Sequence, residues 1–175
     1  KQPMPFDLLY WNSDTTRMPE KLHLSYLRKC YKENALAEGK MKIAGETLDL
    51  SKVTVPVYLQ SAKEDHIAPA NSVFKSVNLF KGPVRFIIAG SGHIAGVINP
   101  TAAKKYQHWT NDSFAGGTIE DWKKGAVEHS GSWWPDWDQW LSKLSGAKVP
   151  ARQPGDGELK ALGDAPGTYV KVKAQ

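Results

Sequence analysis

The sequence holds one cysteine, Cys30, in 175 residues. A lone thiol excludes an internal disulfide framework and fits a reducing compartment. Metal-ligand spacing is missing as well. The five histidines form no H-x-x-x-H or H-E-x-x-H, and C-x-x-C is impossible, so a metal is not expected. No apolar run approaches the ~18 residues that a membrane helix needs, so no transmembrane segment is expected. Lys and Arg outnumber Asp and Glu by 23 to 18, but basic residues never run beyond two in succession. That dispersal lacks the clustered stripe of a nucleic-acid binder. What remains is a composition of 41% hydrophobic and 23% charged residues, which is that of a folded domain. The length suits one core and not two.

The chain opens Met4-Pro5-Phe6-Asp7-Leu8-Leu9-Tyr10-Trp11, which reads as the interior of something longer, and an N-terminal part is expected to precede it. Pro19 suits a first helical turn, and Leu24, Leu27 and Tyr31 recur at helical spacing, so 19–38 is expected as a helix or a broken helical pair. Residues 40–55 read as a polar connection anchored by Leu48 and Leu50. Residues 55–60 form a strand candidate, with Pro56 confined to its start or an edge. Val73, Val77 and Phe80 indicate a helix over 69–79, and 84–89 is a second strand rich in β-branched residues. Strand, helix and strand at this spacing make a right-handed βαβ crossover and a parallel sheet. A further helix is expected over 101–109 and loop over 110–131. Trp133, Trp137, Trp140, Leu141 and Leu144 then mark an amphipathic helix with Pro135 in its first turn and Gly146 beyond its end. From about residue 148 the chain is a Pro- and Gly-rich tail with a short alternation at 169–172. In terms of domains, 1–50 is expected as a cap-like segment and connection, and 51–175 as part of an α/β core. Two or three strands cannot complete a sheet, which again points to a missing part.

Polar loops follow both strands of the crossover, at 61–66 and 89–93, and open α/β sheets gather their chemistry at that edge. Asp65 and His93 stand in these loops. A carboxylate beside an imidazole fixes its tautomer and stabilises the imidazolium. The bland alternative is that Asp65 caps the next helix and His93 is an ordinary loop histidine. Gly90 and Gly92 favour function, because glycine permits a tight turn around the imidazole. His66 is the competing imidazole, although adjacent residues usually point apart, and a supporting contact suits it better. Trp11 could line a pocket or a dimer seam. Cys30 sits in a helical pattern without glycines and makes a poor nucleophile. No serine stands in a G-x-S-x-G elbow, so the nucleophile is expected to lie outside this chain. The tryptophans at 133–140 read as core.

Four stretches carry a resemblance: Phe6-Asp7-Leu8-Leu9-Tyr10-Trp11-Asn12, Lys63-Glu64-Asp65-His66-Ile67-Ala68-Pro69, Gly90-Ser91-Gly92-His93-Ile94-Ala95-Gly96-Val97-Ile98-Asn99-Pro100, and Gly131-Ser132-Trp133-Trp134-Pro135-Asp136-Trp137. Together they resemble the C-terminal half of the catalytic domain of the class I polyhydroxyalkanoate synthases. The resemblance implies an α/β-hydrolase fold and a Cys-Asp-His triad in which Asp65 and His93 match the acid and the base, with the cysteine upstream. It implies part of a mobile cap near the start of the chain and a homodimer. The implied activity joins (R)-3-hydroxyacyl-CoA units, such as 3-hydroxybutyryl-CoA, to a growing polyester chain and releases CoA. The resemblance implies no cofactor, CoA thioester being the substrate, and the implied place is cytoplasmic, at the surface of polyester granules. The competing reading is an esterase or polyester depolymerase of the same fold, for which the same pair would serve.

Overall fold

The computed structural model describes residues 11, 13, 15 and 17–172. The chain divides into two compact units, one made of residues 33–146 and the other of 1–32 with 147–175. In the second of these, helix α1 (Glu20–Tyr26) follows Pro19, whose carbonyl accepts the His23 N–H at 3.0 Å. The helical path continues as a π-helical stretch over Leu27–Lys32, with no buried residue in either piece. Tyr26 and Tyr31 meet edge to face, with their hydroxyls 3.1 Å apart. The expected run to residue 38 therefore stops early. The alternation at 169–172 forms one 3-10 turn, Tyr169–Lys171.

The unit of residues 33–146 carries the sheet. A two-stranded ribbon, β1 (Lys42–Ile43) and β2 (Glu46–Thr47), occupies the segment expected as plain connection. Ala44 and Gly45 turn it at φ 50° and 89°, the paired left-handed conformation that a two-residue hairpin needs. Strand β3 (Val57–Ala62) begins directly after Pro56, and β4 (Val84–Ala89) lies parallel to it in register from Val57↔Val84 to Ala62↔Ala89. Between them run α2 (Ala70–Phe74) and a 3-10 extension over Lys75–Asn78. The βαβ crossover and its parallel pairing match the expectation, but the mostly parallel sheet expected does not form among the described residues: beyond β4 both further pairings are antiparallel, and the sheet is mixed.

Beyond β4 the expectations fail in two places. Residues 101–109 are not a helix. One 3-10 turn, Thr101–Ala103, ends where Lys104 and Tyr106 take φ of 48° and 63°. The chain then enters β5 (Gln107–Thr110), antiparallel to β4. Nor is 110–131 a loop. It holds α3 (Ile119–Lys124) and β6 (Val127–Ser130), the latter antiparallel to β5. A capping box starts α3: Thr118 Oγ1 accepts the Asp121 N–H, and the Asp121 carboxylate accepts the Thr118 N–H, both at 3.2 Å. The sheet order is β3-β4-β5-β6, so the outer edge of β3 has no partner strand among the described residues.

Alternation assigns the two faces of this mixed sheet. One face carries Leu59, Phe86, Ile88 and Trp109, packed with Phe74 and with Ile119 and Trp122 of α3. Trp122 is 1% exposed, and its ring meets Phe86 edge to face at 5.1 Å. Burying an aromatic of this size contributes about 1.5–3 kcal/mol. The opposite face carries Tyr58, Arg85, Ile87 and His108, and faces α4 (Trp134–Ser142). Pro135 stands in its first turn as expected. Tyr58 stacks on Trp133 and meets Trp140 edge to face. Its hydroxyl donates to Asp136 at 2.7 Å, and Arg85 Nε donates to the same carboxylate at 2.9 Å. These bonds fasten the start of α4 to the first residues of β3 and β4. Helices thus cover both faces of a mixed sheet, which is an α/β arrangement.

Candidate active site at the end of the parallel pair

The β3/β4 ladder does not stop where the strands do. Lys63 N–H donates to Ala89 O at 2.8 Å, and Glu64 N–H donates to Ser91 O at 3.0 Å. The two loops therefore leave the sheet side by side, and Asp65 and His93 follow within two residues. His93 Nδ1 lies 2.8 Å from Asp65 Oδ2. The carboxyl side chain is 6% exposed and the imidazole 46%, so the acid is enclosed while its partner faces outward. With Nδ1 donating to the carboxylate, Nε2 is the nitrogen left free to accept a proton.

The other carboxylate oxygen has its own task. Asp65 Oδ1 accepts the N–H groups of Ile67 and Ala68 at 2.9 and 2.8 Å. The bond from Ala68, aided by those from His93 and Ile67, outweighs burial and holds the Asp65 carboxyl below its usual range. The two readings of Asp65, turn cap and histidine partner, are both present in one side chain.

The glycines of the histidine loop serve a different end from the one expected. Gly90 is needed because β5 crowds it: a Cβ there would stand 2.8 Å from Gln107 O. Gly92 has room, since the nearest atom to an added methyl would be Glu64 O at 3.7 Å, and its φ is not positive. The left-handed residue is Ser91, at φ 71°. Gly96 is the tight position, where a Cβ would lie 2.5 Å from Ala62 Cβ and 2.6 Å from Gly92 O. From Gly92 the chain coils back on itself, with Gly96 N–H donating to Gly92 O and Ile98 N–H to Ile94 O, both at 2.8 Å. The sequence signal for Gly96 is slight: it stands four residues after Gly92, a helical-turn spacing. The expected tryptophan core is not formed: Trp133 and Trp140 are half-buried and Trp137 is exposed, and Trp133 and its neighbour Trp134 instead donate their indole N–H groups to this loop, Trp133 to Gly96 O at 3.0 Å and Trp134 to Val97 O at 3.0 Å.

His66 is exposed and makes no hydrogen bond with the pair. Trp11 is 71% exposed and belongs to the other unit. Cys30 is a free, exposed thiol in the π-helical stretch. Among the described residues, no group of three His, Cys, Asp or Glu side chains is placed to hold a metal ion, and no helix is long and apolar enough to cross a membrane. A cleft of about 520 Å³ lies elsewhere, against α4, lined by Arg85, His108, His129 and Asp136 among others. There His108 and His129 stack at 5.1 Å, and burial pushes the His108 imidazole down.

No family model matches the chain. Individual proteins do. It is 52% identical over 174 residues to the poly(3-hydroxyalkanoate) polymerase subunit PhaC of Rhizobium meliloti, covering 99% of this chain and 28% of that protein. It is 52% identical over 174 residues to the poly(3-hydroxyalkanoate) polymerase of Methylorubrum extorquens, covering 99% of this chain and 29% of that protein. Against PhaC of Cupriavidus necator it is 46% identical over 175 residues, covering 98% and 29%. The chain thus spans well under a third of the length of the relatives it matches.

Proposed function

We propose that this chain is a segment of a poly(3-hydroxyalkanoate) polymerase of α/β-hydrolase fold and supplies the acid and the base of its active site. The observation that carries the reading is the 2.8 Å Asp65–His93 bond, in a chain that matches polymerases of that name along 98–99% of its length. The nucleophile is a cysteine from a segment outside these 175 residues. The six-residue outer edge of β3 is where a further parallel strand of the same sheet would add.

The chemistry follows from the pair. His93 Nε2 accepts the cysteine thiol proton, and Asp65 steadies the imidazolium. The thiolate attacks the thioester carbonyl of an (R)-3-hydroxyacyl-CoA. The new cysteinyl C–S bond replaces the C–S bond to CoA, whose sulfur leaves with the proton. Exchange between thiols of similar basicity is nearly balanced. The 3-hydroxyl of the next unit then loses its proton to His93 as its oxygen attacks the acyl-cysteine, forming the ester and freeing the cysteine. Without a base at that moment an alcohol is a poor nucleophile. On this reading the enzyme is a cytoplasmic dimer at the surface of a polyester granule.

Replacing His93 by Gln in the whole polymerase tests the proposal. CoA release from (R)-3-hydroxybutyryl-CoA is expected to fall by at least ~10²-fold, the usual scale of a lost general base. Release near the parent rate would remove His93 from the mechanism. Product analysis separates polymerisation from hydrolysis: polyester supports the proposal, and free 3-hydroxy acid alone supports an esterase.

A further inference from the structure

His93 is half exposed, and one hydrogen bond, to Asp65, holds its ring. A base held so loosely depends on the backbone beneath it. At its upstream end the histidine loop is tied to the sheet through Ser91 O and the Glu64 N–H. Downstream the coil over 92–98 packs Gly96 against Ala62 at the end of β3, but its amides bond within the coil and not to a strand. Its last carbonyls point instead at the head of α4. Trp133 Nε1 donates to both Gly96 O and Val97 O, at 3.0 and 3.2 Å, and Trp134 Nε1 donates to Val97 O at 3.0 Å.

The two indoles are themselves fixed. Ser132 Oγ accepts the Trp134 N–H at 3.1 Å at the head of the helix. Tyr58 stacks on Trp133 at 6.0 Å while donating to Asp136. Asp136 in turn takes Arg85 from β4. This chain of contacts is anchored in β3 and β4, the strands that deliver Asp65 and His93. The sheet therefore holds the pair twice: directly, through the two loops, and indirectly, through α4 and its indoles.

We propose that Trp134, assisted by Trp133, is a positioning residue: its indole N–H holds the Val97 carbonyl and thereby fixes the coil that aims His93 at the reacting atoms. The role rests on the reading of His93 as the base. Phenylalanine keeps a six-membered ring but removes the donor together with the pyrrole half of the indole, which leaves Val97 O with one longer bond, from Trp133 at 3.2 Å. A small tilt of the coil follows, and a base displaced by a fraction of an ångström loses rate and not affinity.

The test uses the whole polymerase with (R)-3-hydroxybutyryl-CoA. Trp134→Phe is expected to lower kcat about tenfold with KM within about twofold, as loss of a transition-state contact requires. Trp133→Phe, which keeps the stack on Tyr58, should show the same split, and it carries the test if Trp134→Phe does not fold. Asp138→Asn, on the same helix and exposed, should leave kcat unchanged. In a His93→Gln background, Trp134→Phe should cost nothing further, because the two act through one atom. Parent kcat in both the Trp134 and Trp133 variants, or a rise in KM alone, would overturn the role. So would a full tenfold loss in the His93→Gln background. If instead His93→Gln retains its activity, the reading of the base fails, and that outcome is distinct from failure of the positioning role.

Discussion

Two glycines of the histidine loop should respond oppositely to the same added methyl group. At Gly96 the new carbon would lie 2.5 Å from Ala62 Cβ, 2.6 Å from Gly92 O and 3.1 Å from Gly90 O. Carbon atoms rest at about 3.5–4.0 Å, so the shortfall against Ala62 is about 1 Å. Neither neighbour is free to give way. Ala62 is the buried last residue of β3, and Gly92 O already accepts the Gly96 N–H. The coil must move off the sheet end and take His93 away from Asp65. Overpacking of this kind costs about 1–3 kcal/mol, and a misplacement near 1 Å costs a catalytic step ~10²-fold. At Gly92 the same methyl would find its nearest neighbour at 3.7 Å. There alanine costs no clash and restricts the unfolded chain, for a gain of up to about 1 kcal/mol. Denaturant midpoints and CoA-release rates of Gly96→Ala and Gly92→Ala in the whole polymerase check this. Gly96→Ala should lose stability and at least an order of magnitude in rate, and Gly92→Ala, though adjacent to His93, should lose neither. Equal behaviour of the two variants would refute the packing argument.

Two further outcomes concern titration. Because its folded-state pKa lies below the ordinary 3.8, Asp65 contributes stability that is fully present above that value and is lost as pH falls through the depressed one. A carboxyl-carbon NMR titration should find its midpoint under 3.8, and a midpoint at or above it would mean that the Ile67 and Ala68 bonds are not formed. Tyr58 is held far above the usual phenol range, by burial first and by its bond to Asp136 second. Tyr58→Phe should therefore leave the phenolate absorbance change near pH 10 undiminished while removing about 1.5–3 kcal/mol of stability, the scale of a hydrogen bond to a charged group. A loss of one tyrosine from that titration would place Tyr58 in solvent.

The parallel crossover was legible because both strands are short apolar runs bounded by turn residues, and because a helical period lies between them. Asp65 and His93 were legible because each stands just past such a strand. The antiparallel half was not. Gln107–Thr110 is amphipathic over only four residues, too short for alternation to outweigh the Thr101–Ala103 turn before it. Thr118 and Asp121 did carry a capping signature, but the surrounding Gly and Asp masked the short helix behind it. Gly90 and Gly92 marked the right loop for the wrong reason. Side-chain-free residues read as conformational freedom in a sequence, while at Gly90 and Gly96 their use is close approach. That Trp133, expected as core, is half-buried and donates to a loop carbonyl is invisible in periodicity, which reports faces and not polar edges.

Asparagine at position 65 would keep Oδ1 for the amides of Ile67 and Ala68 while presenting an NH2 group where Oδ2 now stands. The turn would survive, and the imidazole would have to accept at Nδ1 and carry its hydrogen at Nε2 instead. One atom exchanged for another of nearly equal size would thus leave the architecture standing with its proton acceptor facing backward, so that an intact fold and a silent enzyme could share the same backbone.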